Sequence, residues 1–174
     1  IERLVRLPFQ PLLVAWAPPP PAHVPMAATK ITSSVAVPTT TDTVLSMDSA
    51  SINNDTMWSG TQPPQITIQT PGLYQVCGQV TFAPAAAGVR AAHILFNGKE
   101  IWNSIAAFSQ VALNFGDGNV IPVSTMPLQC IAGTTFYLSV YQSSGGSLNV
   151  NTGDSGTFFN AVRIGDSSGA AILR

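Results

Sequence analysis

Charge is what this chain has least of. Only 9% of its 174 residues are Asp, Glu, Lys or Arg, against roughly 25% in ordinary soluble domains. Lys and Arg total seven, the net charge is −1, and no basic run occurs. That excludes the electrostatic footprint of a nucleic-acid binder, so no nucleic-acid partner is expected. Cysteine is scarce too. Cys77 and Cys130 are too few for a disulfide scaffold and lack metal-ligand spacing. The two histidines, His23 and His93, form no His-x-x-x-His pair. The eight acids are scattered, and no motif selects two of them to face each other across a glycosidic bond. No catalytic set emerges; the expectation is a non-enzyme without a cofactor.

A long apolar run is also missing. Prolines at 8, 11 and 18–21 break residues 1–25, whereas a membrane helix needs about 20 uninterrupted apolar residues; no membrane insertion is expected. Arg3 and Arg6 ahead of an apolar stretch, with Ala15-Trp16-Ala17 after it, imitate a signal peptide. Prolines inside the run and Pro18 just beyond the mock cleavage site argue against one. The stretch reads instead as an extended arm over residues 1–26, with Pro18–Pro21 as a short polyproline II rod. Its apolar residues Leu4, Leu7, Phe9, Leu12, Val14 and Trp16 alternate with prolines, as suits a peptide laid in a groove of another protein.

What the chain does have is β pattern. From Thr70-Pro71-Gly72, a turn signal, the sequence runs Leu73-Tyr-Gln-Val-Cys-Gly-Gln-Val-Thr-Phe82. Tyr74, Val76, Val80 and Phe82 fall on one parity and Gln75, Cys77 and Gln79 on the other, the period of a long strand with one buried face. A helix over the same residues would need apolar positions three and four apart, and Gly78 would cost it about 1 kcal/mol. Cys77 and Cys130 fall on opposite parities relative to the core, which predicts two free thiols. Further strands are expected at Ile31–Val37, Val44–Met47, Ile66–Gln69, Val89–Phe96, Lys99–Ile105, Val120–Ile131, Thr135–Gln142 and Thr157–Ile164, with Trp58 in a short strand of its own. Asn97-Gly98 is a type I′ hairpin signal, and Pro122 and Pro127 suggest an edge strand or bulges. Short strands with close turns argue an antiparallel sandwich. Ile94, Phe96, Leu128, Phe136, Leu138, Val140 and Phe158 are expected in its core beside the Tyr74 set.

Four stretches in order resemble the globular heads of the C1q and tumour necrosis factor families: Gly72-Leu-Tyr-Gln-Val-Cys-Gly-Gln-Val-Thr-Phe82, Gly88–Lys99, Leu128–Tyr141 and Gly156–Ile164. Val76, Gly78, Thr134, Asn160 and Ala161 depart from the family pattern. The resemblance implies an all-β jelly-roll sandwich over residues 27–165, with residues 166–174 as a tail. It also implies a homotrimer whose charge-free face, carrying Gln75, Cys77 and Gln79, packs around a threefold axis. Some relatives bind calcium near the trimer apex, which makes Asp117 a calcium candidate; a single carboxylate is thin for a cation that takes six to eight oxygens. Trp58 and Trp102 are candidates for stacking on sugars, with packing as the competing role, and His93 reads as structural. The resemblance, the low charge and the arm together suggest a structural protein on a virion surface, a bacteriophage decoration or fibre knob anchored by its arm to other virion proteins. The alternative is an extracellular adhesin that binds a host glycan or protein.

Overall fold

The computed structural model describes residues 23–60, 65–100, 110–111, 119–152 and 156–166. They form fourteen strands and no helix: β1 (Met26–Lys30), β2 (Val35–Val37), β3 (Thr43–Val44), β4 (Ser49–Asn53), β5 (Ile66–Thr67), β6 (Gly72–Phe82), β7 (Val89–Phe96), β8 (Lys99–Glu100), β9 (Gln110–Val111), β10 (Asn119–Ser124), β11 (Leu128–Cys130), β12 (Thr135–Gln142), β13 (Leu148–Val150) and β14 (Phe158–Gly165). They make two antiparallel sheets. One runs β2-β13-β6-β14-β1-β4, with β10 and β11 also on β6; the other runs β3-β12-β7-β8, with β5 on β12 and β9 on β7.

β6 is the axis of the larger sheet. Gly78 pairs with Phe159 on one side and Val123 on the other, and Cys77 with Asn160 and Ser124, so β14 and β10 flank β6 on opposite edges. Tyr74, Val76, Val80 and Phe82 are fully buried, as the alternation predicts. They meet Ile94, Phe136, Leu138 and Val140 of the second sheet in one core. Burying such a side chain contributes about 1.5–3 kcal/mol. Asn97 and Gly98 both have positive φ (49° and 74°), the backbone of the predicted hairpin turn between β7 and β8.

Several expectations need correction. Ile31–Val37 is not one strand. β1 ends at Lys30, and the carboxylate of Asp48 accepts the N–H groups of Thr32 (2.7 Å) and Ser33 (3.3 Å), capping the turn that leads to β2. Val120–Ile131 breaks into β10 and β11 at Thr125, whose N–H donates to the Val76 carbonyl while its hydroxyl accepts the Val76 N–H. Pro122 lies in β10, which pairs only with β6 among the described residues, so its missing N–H faces the edge. Trp58 lies outside any strand. The core phenylalanine of β14 is Phe159, 1% exposed, while its neighbour Phe158 points outward, half-buried. Gly78 explains the choice: it leaves the space that the Phe159 ring covers, since a Cβ there would meet Phe159 Cδ2 at 3.2 Å. Phe96 is half-buried at the core margin, edge-on to Phe136 with ring centroids 5.5 Å apart. Of the expected return strand Lys99–Ile105, β8 is seen and the rest lies outside the described residues.

Candidate interaction surfaces

The outward face of the larger sheet is built by alternation. On β6 the parity opposite the core presents Leu73, Gln75, Cys77 and Gln79, all half-buried. The β14 register sets Val162 beside Gln75, Asn160 beside Cys77 and Phe158 beside Gln79. β1 then adds Ala28 beside Asn160 and Met26 beside Val162. On the other edge β10 adds Ser124 and Pro122. The strands of this sheet carry two charged residues, Lys30 and Arg163. Arg163 is in register with the inward-facing Tyr74, so Lys30, at the end of β1, is the one charge that the described strands of this sheet turn outward.

The polar groups on this face are largely engaged. Gln75 Nε2 donates to Ser124 Oγ at 2.8 Å and to the Thr125 carbonyl. Gln79 Nε2 donates to the Gly156 carbonyl at 3.1 Å. Burial pushes the Cys77 thiol pKa above its ordinary value, and a side-chain hydrogen bond with Asn160 pulls the other way. Apolar groups stay open at the margins: Ile52, Val120 and Met126 are 41%, 44% and 63% exposed. An uncharged face with fixed amides and open apolar margins is chemically suited to another protein surface rather than to water.

The other expected residues fall elsewhere. Cys130 is buried on the core side, its thiol pushed up to about 12 by burial, and both cysteines are free. His93 is half-buried on the outward side of β7, in register with Ser139 of β12. Trp58 is partly buried against the core, its backbone N–H and carbonyl both held by the Asn53 amide. Leu4, Leu7, Phe9, Leu12, Val14, Trp16, Trp102 and Asp117 lie outside the described residues. Among the described residues no group of three His, Cys, Asp or Glu could hold a metal.

One buried cation escaped the sequence reading. Arg90 is fully buried, in the same parity as Ala92 and Ile94 at one end of the core. Its guanidinium donates to the carbonyls of Ala85 (3.0 Å), Ala87 (3.3 Å) and Gly88 (3.5 Å), and Nε has no partner. It ties the Ala83–Gly88 loop over the end of the sandwich. The signal that could have found it is parity: Arg90 alternates in phase with Ala92, Ile94 and Phe96, the side of β7 expected to face the core.

No family model matches the sequence, and no curated protein matches it. Solved structures do resemble the fold. The Eiger TNF of S. frugiperda is 15% identical with a TM-score of 0.55, covering 87% of this chain and 99% of that one. Murine APRIL at pH 5.0 is 10% identical with a TM-score of 0.58, covering 82% of this chain and all of that one. Murine APRIL at pH 8.5 gives 10% and 0.55 over the same shares. The chain is thus an antiparallel jelly-roll sandwich of the tumour necrosis factor and C1q type.

Proposed function

We propose that this chain is a non-enzymatic structural and interaction head that works as a homotrimer, with the outward face of the larger sheet as the contact between copies. The observation that carries this is the composition of that face: Gln75, Cys77, Gln79, Phe158, Asn160 and Val162 side by side, with Lys30, at the margin, the one charge that the described strands turn outward. A solvated sheet face ordinarily carries charges. Closed cyclic symmetry is the usual outcome of self-association, and the likeness to the tumour necrosis factor fold favours a threefold.

The setting we infer is a virion surface, in the first place a bacteriophage's, where the Pro-rich arm of residues 1–26 seats the head on a larger shell or tube. A polar, charge-poor exterior and an arm whose apolar residues alternate with prolines support this. A second reading, an extracellular adhesin for a glycan or protein, is favoured by the likeness to the Eiger TNF structure.

Light scattering coupled to size exclusion on the full chain tests the assembly. The expected mass is three times 18.2 kDa, and Val162→Glu, which sets a carboxylate on the face, is expected to give monomer with an unchanged circular dichroism spectrum. A monomeric wild type at micromolar concentration removes the reading. Mass spectrometry of purified particles, asking whether the chain is present at stoichiometric copy number, separates the virion setting from the secreted one.

A further inference from the structure

At the corner where the chain enters β1 and leaves β14 there is a pocket of about 350 Å³, bounded by His23, Val24 and Pro25 on one side and Arg163–Asp166 on the other. That volume is within the range of small-ligand sites, about 300–1,000 Å³. Its chemistry is divided. Val24 and Ile164 are large apolar side chains, 54% and 50% exposed, which with Pro25 make an aliphatic wall. Arg163 and Asp166 supply the polar part.

Arg163 is held in place. Its Nε donates to the Pro71 carbonyl at 3.1 Å and its Nη2 to Asp166 Oδ1 at 2.7 Å. The side chain lies across Gly72, where a Cβ would stand 2.3 Å from Nε, so glycine at that position is what admits it. Nη1 has no partner among the described residues. The Arg163 side chain is 24% exposed and Asp166 80%. An ion pair with so exposed a partner is weakly held, which leaves Asp166 replaceable.

We propose that this pocket binds a carboxylate carried on a short aliphatic group, which takes the Arg163 fork in place of Asp166 and lays its aliphatic part against Val24, Pro25 and Ile164. A guanidinium with two free N–H directions matches the two oxygens of a carboxylate. A phosphate dianion is disfavoured, because the single fixed cation is already half-compensated by Asp166. The ligand's source is either a free small acid or the C-terminal residue of a peptide with an aliphatic side chain; both present the same group. The proposal is independent of the trimer reading, because its lining residues, His23–Pro25 and Arg163–Asp166, all belong to one chain.

The test is a ¹H–¹⁵N chemical-shift titration of the full-length protein at pH 7 with isovalerate, N-acetyl-leucine, N-acetyl-leucinamide and the tripeptide Ala-Ala-Leu. Both small carboxylates should shift the Gly165 and Asp166 amides, and the uncharged amide should not. Asp166→Asn, a change at an exposed site that leaves the fold alone, should tighten binding several-fold by removing the internal competitor. Arg163→Lys should weaken it at least tenfold. Tighter binding of the tripeptide than of isovalerate assigns the site to a peptide terminus, and equal binding assigns it to a free acid. Equal response to acid and amide, no response to either carboxylate, or an Asp166→Asn protein that binds no better overturns the proposal. Light scattering run alongside keeps any change of assembly apart from binding.

Discussion

Gly78→Ala sets two effects of opposite sign against each other. Gly78 does not have positive φ, so alanine suits the backbone there. Replacing glycine in such a conformation ordinarily stabilises by about 0.4–1 kcal/mol through the unfolded chain, and a newly buried methyl adds about 0.8 kcal/mol. Against this, the new Cβ would stand 2.9 Å from the Phe158 carbonyl and 3.2 Å from Phe159 Cδ2; its 3.6 Å approach to Val123 Cγ2 is ordinary contact. The carbonyl belongs to the β6–β14 ladder and cannot rotate away, so overpacking should cost near the top of its usual range, about 3 kcal/mol. The expected outcome is a net loss of about 1–2 kcal/mol, read as a lowered urea midpoint with unchanged slope. Protein concentration must be matched, because self-association also shifts apparent stability. Phe159→Ala alone should cost about 3–5 kcal/mol, and the double variant should cost less than the sum, because half of the crowding goes with the ring. A Gly78→Ala protein as stable as the wild type or more so would show that Phe159 does not fill the space over position 78.

Three further outcomes are expected. Burial, with Asp55 adding to it, raises Tyr74 from 10.0 to about 12, and burial alone raises Cys130 from 9.0 to about 12. Because both folded values lie above the unfolded ones, their contribution to stability is whole below pH 9 and is lost as pH rises toward 12. The urea midpoint should hold to about pH 9 and then fall, and Cys130→Ala should remove the portion of the fall that begins first; a flat profile to pH 11 would contradict the burial of both groups. In the native protein at pH 8 Cys130 should resist Ellman's reagent, with two thiols counted after denaturation without reductant; recovery of a linked pair would refute the strand register. Asp48→Ala should cost about 1–2 kcal/mol by leaving the Thr32 and Ser33 N–H groups uncapped, and Asp48→Asn about half as much; equal stability of all three proteins would show that the cap contributes nothing.

The parts of the fold legible in the sequence are those where one local rule acts alone. β7 spans Val89–Phe96 as alternation predicts, and β6 differs by one residue. Asn97-Gly98 turns where its chemistry says it must. Other features depend on partners far along the chain. β3 and β5 fall where strands were expected, at Val44–Met47 and Ile66–Gln69, but each is only two residues long, because its pairing with β12 spans no more than that. The break after Lys30 depends on a carboxylate at position 48. The choice between Phe158 and Phe159 depends on Gly78 across the ladder, since the two residues are identical to any local rule. The uncharged face was visible on β6, where Gln75, Cys77 and Gln79 share a parity, but its continuation through Phe158, Asn160 and Val162 needed the register. The Arg163 pocket was invisible because His23, Gly72 and Arg163 are distant in sequence.

β1 is paired on both sides, to β4 and to β14. Asn54 fastens its entry: its Oδ1 accepts the Met26 N–H at 2.7 Å, and its Nδ2 donates to the Val24 carbonyl at 2.8 Å. This has a mechanical consequence. A pull delivered through residue 26 along the strand loads both ladders in shear, so their hydrogen bonds resist together. A pull between residue 26 and residue 165 instead opens the β1–β14 ladder one bond at a time, because the two strands run antiparallel and those ends are neighbours. The sandwich is therefore strong when loaded along β1 through residue 26 and weak when loaded between residues 26 and 165.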